Sequence, residues 1–91
     1  RTPKINSNGG RDHWGMCGSL FFAGAGIKTG QVIGQSDKDA AYPVTRGYSP
    51  ADVAATIYQS LGISLETRLP DMLGRPHPLL DHGAPIVEAL A

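Results

Sequence analysis

The chain has only one cysteine, no net charge and no long apolar run. It therefore lacks an internal disulfide, a membrane-spanning segment and a strong charge that would attract a charged partner. Its one cysteine, Cys17, cannot form an internal disulfide. Lys and Arg together number 8, as do Asp and Glu, so the formal net charge is zero. We therefore expect no steering toward nucleic acid or an anionic membrane surface. No apolar run approaches the roughly 20 residues of a membrane span, and no signal peptide, internal repeat or low-complexity segment is visible.

Turn-forming residues are abundant instead. The 91 residues include 12 glycines and 7 prolines, while the hydrophobic share of 41% is too high for a disordered tail. This combination predicts short elements joined by many turns. A chain of this length has room for one small domain or for part of a larger one. Because it begins with Arg1 rather than methionine, we expect a cut, a processed end or a fragment.

The candidate site lies in residues 1–18, where clustered turn formers predict a long loop. Within it, Arg11, Asp12 and His13 follow two glycines. His13 has the chemistry of a metal ligand or a general acid or base, and a surface histidine is the alternative. Asp12 is either a second ligand, a group that orients His13, or a loop carboxylate paired with Arg11. The Arg11 guanidinium suits an anionic oxygen but could equally be solvated.

Residues 19–35 contain the two best strand candidates. Ser19–Ala23 has the bulk of a strand buried on both faces, and Gln31–Gln35 resembles a shorter edge strand. The glycine-rich stretch 24–30 between them is most simply a hairpin turn. The alternative is an anion-binding loop that uses Lys28, although the dinucleotide and phosphate-loop fingerprints are both incomplete.

The clearest helix covers residues 49–61. Ser49 is a good N-cap, Pro50 fits the first helical position, and Asp52 occupies the capping-box position. Gly62 is placed to end the helix in a left-handed conformation. The apolar positions recur every four residues and predict one face that packs on a sheet; they are Val53, Ile57 and Leu61.

In the tail (63–91), residues 63–85 should be irregular because four prolines interrupt helices, and residues 86–91 should form one last helical turn or two. His77 and His82 could bind a metal together with Asp81, but their spacing fits no standard ligand motif. We expect Trp14 to pack, and Cys17 to be a small buried residue because no base is poised near it. The residues alone thus offer one strong ligand candidate, His13, and no convincing nucleophile.

Several stretches, taken in order, carry a family resemblance. They are Arg1–Asn6, Gly10–Trp14, Phe22–Gly34, Val44-Thr45, Ser49–Tyr58, Leu61–Ile63, Asp71, Leu73–Pro76 and Pro85–Leu90. Together they resemble the C-terminal part of DUF1501 proteins, a sulfatase-like family of the alkaline phosphatase superfamily. The resemblance covers nearly the whole chain, and the Gly-Arg-Asp-His-Trp and Gly-Ile-Lys-x-Gly motifs are its most specific parts.

The resemblance implies that residues 1–91 are a single C-terminal segment of a larger α/β sandwich. This fragment would contain a site loop (1–18), a short strand pair (19–35), one helix (49–62) and a proline-rich tail (63–91). Such proteins commonly hold zinc or calcium and hydrolyse sulfate or phosphate esters through a Ser, Thr or formylglycine nucleophile. His13 would be a metal ligand supported by Asp12. Relatives usually carry a twin-arginine signal, which implies an exported or periplasmic location.

The chain departs from the family pattern in what it lacks. No upstream nucleophile or early aspartate ligands are present, and Cys17 lies outside the Cys-x-Pro-x-Arg setting of sulfatases. We therefore expect a segment that is inactive alone and needs the upstream portion of the same protein to act on a small ester. We also expect apolar surface that drives a dimer or larger assembly. The alternative is a non-catalytic binding or assembly module that retains the superfamily fold.

Overall fold

A computed structural model describes all residues from Arg1 to Ala91. In chain order the elements are helix α1 (Pro50–Ser60), strands β1 (Arg68–Pro70) and β2 (Pro76–Pro78), and a single 3₁₀ turn at Val87–Ala89. One helix and a two-stranded antiparallel sheet make the chain a mixed α/β structure. None of its helices has the length and apolar character needed to cross a membrane.

Helix α1 begins and ends where its capping residues predict. The Ser49 hydroxyl accepts a hydrogen bond from the Asp52 backbone N–H at 3.2 Å, and the Asp52 carboxylate accepts one from the Ser49 N–H at 2.9 Å. These reciprocal bonds satisfy two of the N–H groups that a helix start leaves unpaired. Gly62 follows the helix with a φ of +76°, and its N–H donates to the Gln59 carbonyl. The prediction of this helix is confirmed.

The face that α1 buries differs from the predicted one. Its buried residues are Ala55 and Thr56, whereas Leu61 is 61% exposed and Ile57 is also exposed. The chain packs its own tail, not a sheet, against the helix. The expectation that the stripe of Val53, Ile57 and Leu61 would pack on a sheet is therefore wrong for this chain, which has no sheet at that face.

Hydrogen bonds connect residues 84–86 of the tail to α1. The buried Thr56 hydroxyl donates to the Asp52 carbonyl at 2.7 Å and accepts from the Ile86 N–H at 2.9 Å. The Asp52 carboxylate also accepts from the Ala84 N–H at 2.9 Å. Close approach requires glycine at position 83, because a Cβ there would lie 2.6 Å from the Ala51 carbonyl group. The tail is thus held by hydrogen bonds from its backbone N–H groups to side chains of α1, as well as by the buried Ile86.

The strand pair lies in a different part of the chain from the one predicted. No strand forms within residues 19–35, where Phe21 is 86% and Val32 is 93% exposed. Instead β1 and β2 pair in the tail, with Arg68 opposite Pro78 and Pro70 opposite Pro76. Proline is tolerated there because each strand has a free edge on which no ladder N–H is needed. The predicted strand does not form because a strand needs neighbouring strands, and none are available to residues 19–23.

The chain divides into two compact units. The first comprises residues 1–21 and 32–47, and the second comprises residues 22–31 and 48–91. In the second unit a backbone bridge joins Ile27 to Leu90, and the Ala91 N–H donates to the Gly26 carbonyl at 2.9 Å. The buried apolar core consists of Ala55, Ile86 and Ala89, all in this unit. Such a core is very small for a chain of this length.

Candidate functional site

Asn6 organises the loop that carries the candidate site residues. Its side-chain oxygen accepts hydrogen bonds from the N–H groups of Asn8 and Gly10, at 3.0 and 2.9 Å. Its side-chain amide donates to Asp12 Oδ1 at 3.1 Å. One side chain therefore closes the turn and holds the carboxylate of Asp12. The sequence predicted a loop in residues 1–18 but not the link between Asn6 and Asp12, because six residues separate them.

A second residue fixes the backbone of Asp12. The Thr2 N–H donates to the Asp12 carbonyl, and the Asp12 N–H donates to the Thr2 hydroxyl, both at 3.1 Å. Arg11 does not pair with Asp12, whose carboxylate is held by Asn6. The predicted alternative of an Arg11–Asp12 ion pair is therefore wrong.

Trp14 anchors the other end of the motif. Its indole N–H donates to the Ala41 carbonyl at 2.8 Å, and its ring meets Tyr42 edge to face with centroids 5.6 Å apart. This confirms the prediction that Trp14 packs. Between the held Asp12 and the anchored Trp14, the His13 imidazole is exposed and makes no hydrogen bond. The Arg11 guanidinium is likewise exposed.

The metal ligands present here form an incomplete set. No group of three or more His, Cys, Asp and Glu residues in the chain could hold a metal ion. Asp12 and His13 have suitable chemistry, but a zinc centre needs at least three protein ligands. His82 and Asp81 do not join His77, which bonds elsewhere, so that alternative site does not form. Cys17 is half-buried and free rather than fully buried.

Lys28 lies in the second compact unit, whereas Arg11, Asp12 and His13 lie in the first. It follows a tight turn in which the Ile27 N–H donates to the Gly24 carbonyl at 2.8 Å. The Lys28 N–H donates to the Ala89 carbonyl, also at 2.8 Å. Both N–H groups are therefore occupied within the chain, and the exposed Lys28 ammonium is the group left for an anion.

The Asp71 carboxylate accepts several hydrogen bonds at the turn between β1 and β2. Its Oδ1 accepts from the N–H groups of Leu73 and Arg75, and its Oδ2 accepts from the Arg75 guanidinium at 2.7 Å. His77 Nε2 lies 2.9 Å from the same Oδ2. These hydrogen bonds, led by that of His77, lower the pKa of Asp71 from 3.8 to about 2. The cluster closes the β1–β2 hairpin. The sequence analysis did not find it, although the spacing Asp71-x-x-Gly74 is typical of such a turn.

Asn6 and Asp71 share their loop geometry with Asp37. In each case the side-chain oxygen accepts from the N–H groups two and four residues later. The carbonyl of the same residue accepts from the N–H three residues later, and that later residue has a positive φ. Those residues are Gly9, Ala40 and Gly74. The chain thus uses one five-residue loop three times without an evident sequence repeat.

Comparison with known proteins gives one match. The family model described as "Protein of unknown function (DUF1501)" matches residues 1–90. No match was found among curated proteins or among solved structures. The match covers the Asn6 loop, the Asp71 hairpin and helix α1 alike, so the whole chain belongs to the DUF1501 family.

Proposed function

We propose that this chain is the C-terminal segment of a sulfatase- or phosphatase-like, metal-dependent ester hydrolase. In this proposal the loop closed by Asn6 supplies His13 and Asp12 to a divalent metal. One observation carries it: Asn6 and Thr2 hold Asp12 on both its side chain and its backbone, while the neighbouring His13 imidazole is exposed and unbonded. An ordered carboxylate beside a free imidazole is a suitable pair of metal donors.

The donor types indicate which metal to expect. Zinc binds imidazole nitrogen readily, whereas calcium takes oxygen ligands, so a site that uses His13 favours zinc. Since the chain provides two donors at most, the others would come from the upstream portion of the same protein. A metal held there would act as a Lewis acid on an ester oxygen.

The exposed cations suit the substrate class. The planar Arg11 guanidinium can donate two parallel hydrogen bonds to a sulfate or phosphate group. The Lys28 ammonium could add a point charge if the complete protein brings it near the same anion. The nucleophile is proposed to lie upstream, so we expect the chain to be inactive by itself. In keeping with the family resemblance, we propose an exported or periplasmic location for the complete protein.

A second candidate function is a non-catalytic binding or assembly module. The exposure of large apolar residues throughout the chain, among them Phe21 and Val32, favours it because such surfaces mark contacts with other polypeptides. In that case His13 would bind no metal. The two functions therefore differ in a property that can be measured directly.

The metal content of purified protein distinguishes them. In a polypeptide that includes the upstream portion, we expect about one zinc or more per chain and a loss of at least tenfold in bound metal for His13→Ala. His82→Ala is the matched control, because His82 is also an exposed loop histidine outside the site. Elemental analysis should show unchanged metal in the control. Metal retained in His13→Ala would contradict the role of His13, and metal-free wild-type protein would favour the module.

A further inference from the structure

The open end of the β1–β2 hairpin forms one wall of a surface cleft of about 570 Å³. This volume lies within the range of roughly 300–1,000 Å³ that small-molecule sites usually have. The cleft belongs entirely to the second compact unit. Its lining combines three apolar residues with three charged ones; they are Leu65, Pro78, Leu80, Glu66, Arg68 and Asp81. A cleft of this size and chemistry can hold a small molecule that has both an apolar part and charged groups.

Hydrogen bonds fix the backbone on both sides of this cleft. The Ser64 hydroxyl accepts from the Glu66 N–H at 3.3 Å, and the Ser64 carbonyl accepts from the Thr67 N–H at 3.1 Å. These two bonds form a tight turn before β1. The Thr67 carbonyl in turn accepts from the Leu79 N–H at 2.9 Å, which joins the two sides. Because the backbone around the cleft is hydrogen-bonded, the lining side chains start from fixed positions.

The three charged side chains of the cleft have no partners within the chain. Arg68 forms no ion pair with Glu66 or Asp81, although all three line the same cleft. None of the three side chains is hydrogen-bonded elsewhere. A guanidinium and a carboxylate that lie apart can each bind a group of opposite charge on one ligand. The cleft therefore offers one place for an anionic group and two places for cationic groups.

This pattern of charges selects among small molecules. A ligand that matches one guanidinium and two carboxylates carries one anionic group and two cationic groups. Leu65 and Leu80 provide apolar surface against which an aliphatic stem can lie between those groups. A basic α-amino acid has this composition: a carboxylate, an α-ammonium group, and a side-chain cation at the end of an aliphatic stem.

We propose that the cleft at the open end of the β1–β2 hairpin binds a free basic α-amino acid such as lysine. Arg68 binds the carboxylate of the ligand, because its planar guanidinium can donate two parallel hydrogen bonds to it. Glu66 and Asp81 accept from the two cationic groups, and the aliphatic stem contacts Leu65 and Leu80. Since all three charged side chains are exposed to water, the affinity should be modest and should fall as salt is added.

This binding is independent of the proposed function. It requires neither a metal nor ester hydrolysis, and none of its residues belongs to the loop that carries Asp12 and His13. Metal-free protein would contradict the proposed function and leave the amino-acid site intact. Failure to bind lysine would contradict the amino-acid site and leave the metal site intact.

NMR titration of the full-length protein with L-lysine tests the proposal. We expect saturable shifts of the Leu65 and Leu80 methyl signals, since both side chains line the cleft. Two related compounds test the groups of the ligand separately: norleucine lacks the side-chain ammonium, and cadaverine lacks the carboxylate. Each should bind about threefold more weakly than lysine, because each loses an exposed ion pair. An absence of saturable shifts with lysine, or equal binding of the three compounds, would overturn the proposal.

Substitution of Arg68 tests its role as the partner of the carboxylate. In Arg68→Gln, lysine should bind about threefold more weakly, whereas cadaverine, which has no carboxylate, should bind at least as tightly as before. The preference for lysine over cadaverine should therefore disappear. Lys4→Gln is the matched control, because it removes one exposed positive charge outside the cleft and should preserve that preference. Equal weakening of both compounds by Arg68→Gln, or a retained preference, would overturn the proposal.

Discussion

Asn6, Asp37 and Asp71 each use one side-chain oxygen to accept two backbone N–H groups. At the scale of single residues, such contacts fix local shape where the apolar core is small. Glycines three residues after Asn6 and Asp71 could have indicated the two loops from sequence alone. The third loop has Ala40 at the equivalent position, and that sequence signal is missing.

Ala40 provides a prediction about backbone strain. It has a φ of +55°, a conformation that costs a residue with a Cβ about 1–2 kcal/mol. Ala40→Gly should remove this strain, partly offset by the greater freedom of glycine in the unfolded chain, for a net gain of about 0.5–1 kcal/mol. Urea denaturation measures the change. Ala23→Gly is the control, since Ala23 has no positive φ, and it should not stabilise the protein. A destabilised Ala40→Gly protein would contradict this description of the loop.

The sequence predicted some residues of the candidate site but not the residues that hold them in place. Arg11, Asp12 and His13 were recognised from their chemistry, and all three are exposed on an ordered loop. The partners Asn6 and Thr2 were not recognised, because contacts across six to ten residues of irregular backbone follow no sequence period. Lys28 was chosen for its charge, and nothing in the sequence predicted that its N–H would bond to Ala89.

At the scale of elements, α1 was predictable because its start and end depend on Ser49, Asp52 and Gly62 themselves. The positions of the strands were not predictable from local sequence, because a strand depends on a partner elsewhere in the chain. The apolar run Ser19–Ala23 has no partner here, whereas β1 and β2 pair because Asp71 closes the turn between them. Local hydrogen bonding thus outweighs intrinsic strand preference in this chain.

The β1–β2 hairpin should depend on pH through Asp71. Because folding lowers the pKa of Asp71 from 3.8 to about 2, its contribution to stability is fully present above about pH 4 and is lost as the pH falls toward 2. NMR shifts of the Leu73 and Arg75 amides, which donate to Asp71, should report a midpoint near pH 2.

Two variants control the titration. Asp71→Asn should abolish the acid transition of these amides, because the amide side chain carries no charge to lose. Asp81→Asn should leave it unchanged, because Asp81 makes no hydrogen bond to the hairpin turn. A midpoint near 3.8 in the unsubstituted protein would show that the hydrogen bonds to Asp71 do not hold its charge.

At the scale of the whole molecule, the buried apolar core is limited to Ala55, Ile86 and Ala89. Large apolar side chains are exposed in both compact units, for example Phe21 in the first and Leu61 in the second. The sequence-based expectation of apolar surface left uncovered agrees with this exposure. We attribute this exposed surface to the longer polypeptide that the proposed function requires.

The most direct test of this account is the intact mass and metal content of the polypeptide purified from the cells that make it. We predict a mass well above the 9.6 kDa of this chain, together with stoichiometric zinc. Such a result would support a role for His13 and Asp12 as two ligands of a site completed by upstream residues. A 9.6 kDa chain without metal would contradict the account, since this chain would then be the whole protein and would lack a metal site.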